Sequence, residues 1–329
     1  MMRVLITGGT GSLGRALVAE FLADPSVVRV KILSRDEWKQ AELATQHPDP
    51  RLECLLGDVR DEARLRDAFR GMDTVIHAAA LKRVDKVAAD PDEALLTNVL
   101  GTRHVCRAAR ETGVGRVVVV SSDKAVMPTN FYGGTKFLAE QIAIRSNVYG
   151  YPRGTRVSVV RYGNVLGSRG SVLSHWRAQA AAGGPLTVTD PHCTRFVITM
   201  PQAVALIRVA LDTMAGGEVF VPMLPAAALM DLASAVLTEV TPWQDTGLRP
   251  GGEKTHEQLL TDEEVWRTLA VPAPTLPGGQ VYVVTPSLPT WTAPGWAGTP
   301  LPAGTVYRSD VSAWRVGPEE LRTLLTGGT

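Results

Sequence analysis

Residues Thr7 to Gly14 read T-G-G-T-G-S-L-G. They follow a short apolar run, Arg3 to Ile6, and lead into R-A-L-V-A-E-F-L, whose apolar spacing suits a helix. A strand that turns at once into a helix needs glycine in the turn, and Gly8, Gly11 and Gly14 supply it in the spacing G-x-x-G-x-x-G. Such a turn lets the backbone approach a pyrophosphate, which then sits at the helix N-terminus. The same alternation continues downstream. Apolar runs at Val27 to Leu33, Leu52 to Leu56, Thr74 to Ile76, Val117 to Val120 and Val157 to Val160 are separated by helix-like stretches. This predicts an α/β fold with a doubly wound parallel Rossmann sheet and a ligand crevice at the carboxyl ends of the strands.

A chain of 329 residues is long enough for one large or two smaller domains. The dinucleotide-binding domain is expected over 1–165, with a further segment near 197–222. Residues 166–329 are expected to form mainly a smaller C-terminal α/β substrate-binding region. Residues 272–304 are rich in Pro, Gly and Trp and read as loop. The formal net charge of +1 gives no reason to expect nucleic acid or a membrane surface as partner. Cys54, Cys106 and Cys193 are widely spaced and odd in number, so neither a disulfide framework nor a metal site is expected. No apolar run reaches membrane-spanning length and the N-terminus is too short for a secretory signal, so a cytoplasmic location is expected.

The cofactor contacts follow from the strand ends. Thr7, Gly8, Thr10, Gly11, Ser12, Leu13 and Gly14 form the phosphate loop. After the second strand come Ser34, Arg35 and, nearby, Lys39, where an NAD site would carry an acid for the ribose 2′-hydroxyl. A hydroxyl and a guanidinium suit a 2′-phosphate, so NADP is favoured over NAD. Asp36 remains open as a ribose ligand. Asp58 and Val59 end the third strand; Asp58 suits the adenine amino group or a cap for the helix Asp61 to Phe69. Ala78, Ala79 and Ala80 leave room for close cofactor packing. Asn98, on a predicted helix from Asp92 to Glu111, and Tyr162 complete the expected set.

Ser121 to Lys136 reads S-S-D-K-A-V-M-P-T-N-F-Y-G-G-T-K. Tyr132 and Lys136 share one helix face a turn apart. With Ser122 they suffice to remove a hydride from a carbinol. Asp123 and Lys124 form a second acid–base pair, which suggests a second reaction on the same substrate.

These motifs together resemble the extended short-chain dehydrogenase/reductase family. S-R-D-E-W-K-Q, H-A-A-A-L-K, S-S-D-K-A, R-Y-G-N-V-L-G-S-R-G-S, T-R-F and F-V-P narrow the resemblance to the soluble, inverting UDP-N-acetylglucosamine 4,6-dehydratases. It covers nearly the whole chain. Three departures stand out: R-P-G-G-E-K where the family has R-P-G-E-K, Y-G-G-T-K where it has Y-G-A-T-K, and Met223 after F-V-P where it has Lys. The resemblance implies a UDP-sugar substrate held by Lys82, Asn164, Arg169, Ser171, Arg195 and Arg249, with Glu253 at the uridine ribose. It also implies a homo-oligomer built from dimers, up to a hexamer.

The implied reaction begins with transient oxidation at carbon 4, which acidifies the proton on carbon 5. Tyr132 takes the carbon 4 hydroxyl proton, Lys136 lowers the tyrosine pKa and Ser122 holds the same oxygen. Lys124 is assigned the carbon 5 proton and Asp123 the leaving carbon 6 hydroxyl. A lysine base requires a depressed pKa, and Asp123 must be protonated to act. Hydride then returns to carbon 6, and the resemblance implies inversion at carbon 5. A nucleotide-sugar 4-epimerase is the first alternative, since it needs the Tyr and Lys alone. A non-catalytic NADP-binding sensor or scaffold is the alternative from another class.

Overall fold

Strands and helices alternate through the first half of the chain, seen in a computed structural model that describes residues 1–149, 154–168, 170–236, 242–248, 251–287 and 296–327. Strands β1 (Met2–Thr7), β2 (Val27–Ser34), β3 (Leu52–Leu56), β4 (Thr74–His77), β5 (Arg116–Val120) and β6 (Arg156–Val160) are all parallel and lie in the order β3-β2-β1-β4-β5-β6. Val117, Val118 and Val119 are all buried, as a strand covered on both faces requires. The helices are α1 (Ser12–Ala23), α2 (Glu37–Gln46), α3 (Glu62–Phe69), α4 (Val84–Ala89), α5 (Pro91–Ala94), α6 (Gly101–Thr112) and α7 (Phe131–Ser146). Strand order reverses beside β1, so the loops after β1, β4 and β5 open onto one crevice.

The second half adds β7 (Asn164–Val165), α8 (Val172–Ala181), β8 (Leu186–Val188), β9 (Thr194–Ile198), α9 (Met200–Thr213) and β10 (Val219–Pro222). Strand β10 joins β6 as a seventh parallel strand. Then come β11 (Ala226–Ala228), α10 (Leu229–Val236), β12 (Trp243–Asp245), α11 (Asp262–Val265), β13 (Thr268–Pro272), β14 (Gln280–Val284), β15 (Thr299–Pro300) and α12 (Pro318–Thr326). A second hydrophobic core, including Leu173, Trp176, Leu186, Leu232 and Leu321, unites α8, β8, α10 and α12.

Three expectations change. The stretch 272–304 is not all loop: β14 pairs antiparallel with β10, and β13 and β15 follow it, so the main sheet has ten strands among the described residues. Val281, Val283 and Val284 are buried in that sheet, and this short apolar run was masked by the Pro and Gly around it. The C-terminal half is therefore shared between the main sheet and the second core. The predicted helix from Asp92 is interrupted by a π-helical segment, Leu95–Leu100, which carries Thr97 and Asn98. The apolar pattern of Phe137 to Asn147 predicts a helix over those residues, but α7 begins six residues earlier, at Phe131, because Asn130 caps it by accepting from Gly133 N at 2.8 Å. Tyr132 and Lys136 thus stand in its first turns. The pattern of Asp231 to Glu239 also predicts a helix, which is seen as α10 up to Val236; its last residues lie outside the described part.

Candidate active site

The carboxyl ends of the parallel strands enclose a cleft of about 860 Å³. Its lining includes Gly8, Thr10, Gly11, Ser12, Leu13 and Gly14 from the first turn, and Ser34, Arg35, Asp36 and Lys39 from the second. Asp58, Val59, Ala78, Ala79, Ala80, Lys82, Ser122, Tyr132, Lys136 and Tyr162 complete most of the expected wall. Gly8 has φ +71, and a Cβ there would lie 2.8 Å from Ala79 N, so no other residue fits the turn without displacing the loop after β4. The N-terminus of α1 has no side-chain cap. Ser121 Oγ and Thr97 Oγ1 are buried on the cleft wall without a hydrogen-bond partner among the described residues. An uncapped helix, a bare glycine cradle and two unsatisfied hydroxyls fit a bound dinucleotide.

Asp36 caps α2, accepting from Lys39 N at 3.0 Å, and its carboxylate also pairs with Lys39 Nζ. Arg35 lies 3.8 Å from Asp58, which is itself held by Arg60 at 2.7 Å. Gln40 Nε2 donates to Ser34 O, Ser34 Oγ and Leu55 O at 3.0, 2.9 and 2.8 Å, fixing the Ser34 loop.

Two expected contacts lie behind the wall instead. Thr7 is fully buried, with Oγ1 2.8 Å from His77 Nδ1 and accepting from Ala79 N at 3.3 Å. Asn98 accepts from Leu81 N at 2.8 Å and donates to Leu81 O and Thr135 Oγ1 at 2.9 and 3.0 Å. Both residues hold the loop after β4 in place. Burial, with a smaller push from Lys136, lowers the His77 pKa to about 3, so this histidine is a neutral structural bridge between Thr7 and Thr102.

Tyr132 is buried, and burial pushes its pKa up to about 12 against the charge of Lys124. Lys136 is pushed down to about 8 by burial, against the charge of Glu140, and donates to Val120 O at 2.6 Å. The cation that most lowers the tyrosine is therefore Lys124 rather than the expected Lys136, because Lys136 is turned onto the end of β5.

Asp123 and Lys124 adjoin the cleft through Ser122, whose Oγ donates to Asp123 Oδ1 at 2.7 Å. Lys124 Nζ lies 3.1 Å from Asp123 Oδ1 and 3.2 Å from Glu257 Oε1. Lys254 Nζ reaches Glu257 Oε2 at 3.4 Å and donates to Asp123 O at 3.3 Å. Burial raises the Asp123 pKa, and the charge of Glu257 raises it further. Burial alone would raise Glu257 as well, but Lys124, Arg195 and Lys254 outweigh it and hold that carboxyl below its usual range. Burial favours a neutral Lys124, yet Asp123 and Glu257 together hold its pKa above that of an ordinary lysine. The expected depression is thus reversed, because two carboxylates meet one ammonium.

Glu257 was not singled out from the sequence. It occurs in a loop-like stretch, G-G-E-K-T-H-E, and nothing local marks it. Of the expected substrate contacts, Lys82 lines the cleft. Asn164 begins β7, beside the lining residues Gly163 and Val165. Ser171 precedes α8, 3.3 Å from Ser174 Oγ. Arg195 is buried, donating to Thr194 O, Thr255 O and Glu253 Oε1 at 2.8, 2.9 and 2.9 Å. Arg169 and Arg249 lie outside the described residues. The extra glycine is absorbed by positive φ values of +92 at Gly251 and +97 at Gly252. Asn130 Nδ2 donates to Gly252 O at 2.9 Å, which ties this loop to the cap of α7.

Residues 4–274 match the family described as "Polysaccharide biosynthesis protein". The chain belongs to that family. Within it, the chain is 38% identical over 262 residues to an inverting UDP-N-acetylglucosamine 4,6-dehydratase of Campylobacter jejuni, covering 79% of this chain and 78% of the relative. It is 39% identical over 268 residues to a UDP-glucose 4-epimerase of Rickettsia massiliae, covering 80% and 78%. Among solved structures, Pen from Bacillus thuringiensis superposes with a TM-score of 0.89 at 33% identity over 99% of this chain and 98% of that one. DesIV, a dTDP-glucose 4,6-dehydratase from Streptomyces venezuelae solved with NAD, gives 0.70 at 26% identity over 77% and 86%. This polysaccharide biosynthesis protein is thus a Rossmann-fold member of the short-chain dehydratase and epimerase group. Among the described residues no helix is long and apolar enough to cross a membrane.

Proposed function

We propose that this family member is a UDP-N-acetylglucosamine 4,6-dehydratase that inverts carbon 5, a hydro-lyase rather than an epimerase. The observation that carries the reading is the Asp123–Lys124 pair, with Asp123 buried and Lys124 partly so, joined through Ser122 to the Tyr132 and Lys136 of the cleft. An epimerase uses the tyrosine and lysine and has no work for a second acid–base pair. An acid–base pair 3.1 Å apart, its acid buried and contacting a cleft hydroxyl, calls for a second proton-transfer step.

A bound nicotinamide dinucleotide supplies the oxidant for carbon 4 and returns the hydride to carbon 6. Ser34, Arg35 and Lys39 line the cleft just after β2 and offer a hydroxyl and two cations to a 2′-phosphate, while Asp36 is engaged by Lys39 as a helix cap; this supports reading the cofactor as NADP rather than NAD. Tyr132 accepts the carbon 4 hydroxyl proton, and Ser122 orients that oxygen. Asp123, held neutral, protonates the leaving carbon 6 hydroxyl. Lys124 is the base for carbon 5, and it must shed its own proton before it can take another. Lys82, Asn164 and Arg195 contribute to the UDP-sugar site, with Arg169 and Arg249 as further basic contacts and Glu253 at the uridine ribose. Arg195 and Glu253 are already paired at 2.9 Å, so substrate binding would share or exchange that contact.

Proton NMR with UDP-N-acetylglucosamine in deuterated water tests the reading. The expected product shows a new methyl signal from carbon 6 and deuterium at carbon 5, with ring couplings that report inversion. Formation of UDP-N-acetylgalactosamine, undiminished in Lys124→Ala, would establish the epimerase instead. For the cofactor, Arg35→Ala is expected to weaken NADP⁺ binding by about tenfold or more, the worth of one charged hydrogen bond, with NAD⁺ binding unchanged. Equal losses for both cofactors would count against a 2′-phosphate contact.

A further inference from the structure

The resting charges leave Lys124 as an ammonium between two carboxyls. The surroundings of Lys124 decide which of the two keeps a negative charge. Asp123 and Glu257 are 1% and 2% exposed, and their carboxyl oxygens lie 3.1 and 3.2 Å from Nζ. The two are not equivalent. Asp123 Oδ1 also accepts from Ser122 Oγ, while Oδ2 has no hydrogen-bond partner among the described residues. Glu257 is surrounded by cations: Lys124, Lys254 at 3.4 Å, and the electrostatic influence of the buried Arg195 from β9. Tyr132, from α7, also feels both carboxyls, and Glu253 pairs with Arg195 at the edge of the cluster. The neighbouring His256 is bound to Thr194 at 2.9 Å. Two buried carboxylates this close to each other cannot both remain ionised cheaply, and the one with more cations around it keeps the charge.

We propose that Glu257 is a positioning residue for the elimination step: it is the resting counter-ion of Lys124 and thereby leaves Asp123 as a neutral carboxylic acid. The proposal rests on the dehydratase reading above. With Glu257 ionised beside Lys124, Asp123 keeps the proton that it must give to the carbon 6 oxygen when the C–O bond breaks. Glu257 touches neither substrate nor cofactor in this scheme; it acts through Lys124.

The test is infrared difference spectroscopy of the resting holoenzyme combined with a pH profile, on wild type, Glu257→Gln, Glu257→Asp and Asp123→Asn. Wild type is expected to show a buried carboxylic-acid C=O band at neutral pH that Asp123→Asn removes. In Glu257→Gln, Asp123 becomes the counter-ion of Lys124, so the band is lost. Its kcat for dehydration falls about 10²-fold or more with KM little changed, the scale of one proton-transfer group. The alkaline limb of its profile moves to lower pH, since removing the Glu257 charge lowers the pKa of Asp123. Glu257→Asp restores band and limb in part. The backbone of Glu257 is held independently of its side chain, by the Ser309 hydroxyl at 2.9 Å and the Ser309 amide at 2.8 Å. Should Glu257→Gln still fail to fold, the Asp variants decide. A band surviving in Asp123→Asn, or unchanged band and limb in Glu257→Gln, overturns the proposal. The infrared result concerns the resting protein, so it stands even if wild type forms no dehydrated sugar, an outcome that would instead sink the function proposed above.

Discussion

Two buried clusters in this protein each set two carboxylates around one cation, and they are built differently. In the first, Arg161, at the end of β6, binds Glu140 of α7 at 3.0 and 2.6 Å and Glu264 of α11 at 2.8 and 2.9 Å. It also donates to Leu259 O at 2.9 Å, so its five donors are all engaged. In the second, Lys124 lies between Asp123 and Glu257. There Asp123 Oδ2 has no hydrogen bond among the described residues, and Glu257 Oε2 has only its ion pair with Lys254 at 3.4 Å. A closed ionic cluster joins α7 to the C-terminal half and offers nothing to a ligand. An open one keeps lone pairs in reserve, as a site that moves protons requires. Guanidinium geometry favours closure through its planar fork, whereas an ammonium is a point charge whose proton can leave.

The contrast can be broken from either side. The largest effect is expected from the open cluster. Asp123→Asn should lower dehydration by about 10²- to 10⁴-fold, while reversible reduction of the bound cofactor by substrate survives. Stopped-flow absorbance of the reduced nicotinamide checks the surviving step, and loss of both steps together would remove the division of labour. Next comes the closed cluster. Arg161→Met leaves two carboxylates buried without their cation and should cost about 3–5 kcal/mol of stability, read by denaturant unfolding. A loss below about 1 kcal/mol would mean that the cluster adapts freely. The smallest effect is the stability of Asp123→Asn, expected within about 1 kcal/mol of wild type at neutral pH. Its pH dependence has a definite sign. A buried acid whose folded pKa is raised favours the folded state at low pH. That contribution is lost as pH rises from the unfolded carboxylate range through the folded value, so the Asn variant should show a flatter stability profile on that side.

Much of the fold was legible because it is written locally. The glycine turn before α1 and the apolar runs of β1 to β6 carry their own periodicity, and their alternation with helices marks a parallel sheet. Strand β14 was harder, because four consecutive apolar residues inside a Pro- and Gly-rich stretch look like a loop until β10 supplies a partner. Helix α7 began earlier than its apolar pattern, since Asn130 caps it with a side-chain oxygen that periodicity does not register. Most of the cofactor wall was readable for the same local reason: its residues follow strand ends. Thr7 and Asn98 belong to the same motifs, yet their side chains turn inward to brace the loop after β4.

By itself the amino-acid sequence determined the sheet, the turn that faces a phosphate, and the adjacency of Ser122, Asp123 and Lys124. Those are properties of neighbouring residues. Tertiary structure alone decided the charges those residues carry. Glu257 arrives from a distant loop, 3.2 Å from Lys124 and 3.4 Å from Lys254, and turns an expected neutral lysine into an ammonium while Asp123 stays the acid that the sequence called for. The physical reason is that a pKa depends on burial and on charges a few ångströms away, and in a folded chain those neighbours are set by packing rather than by position in the sequence.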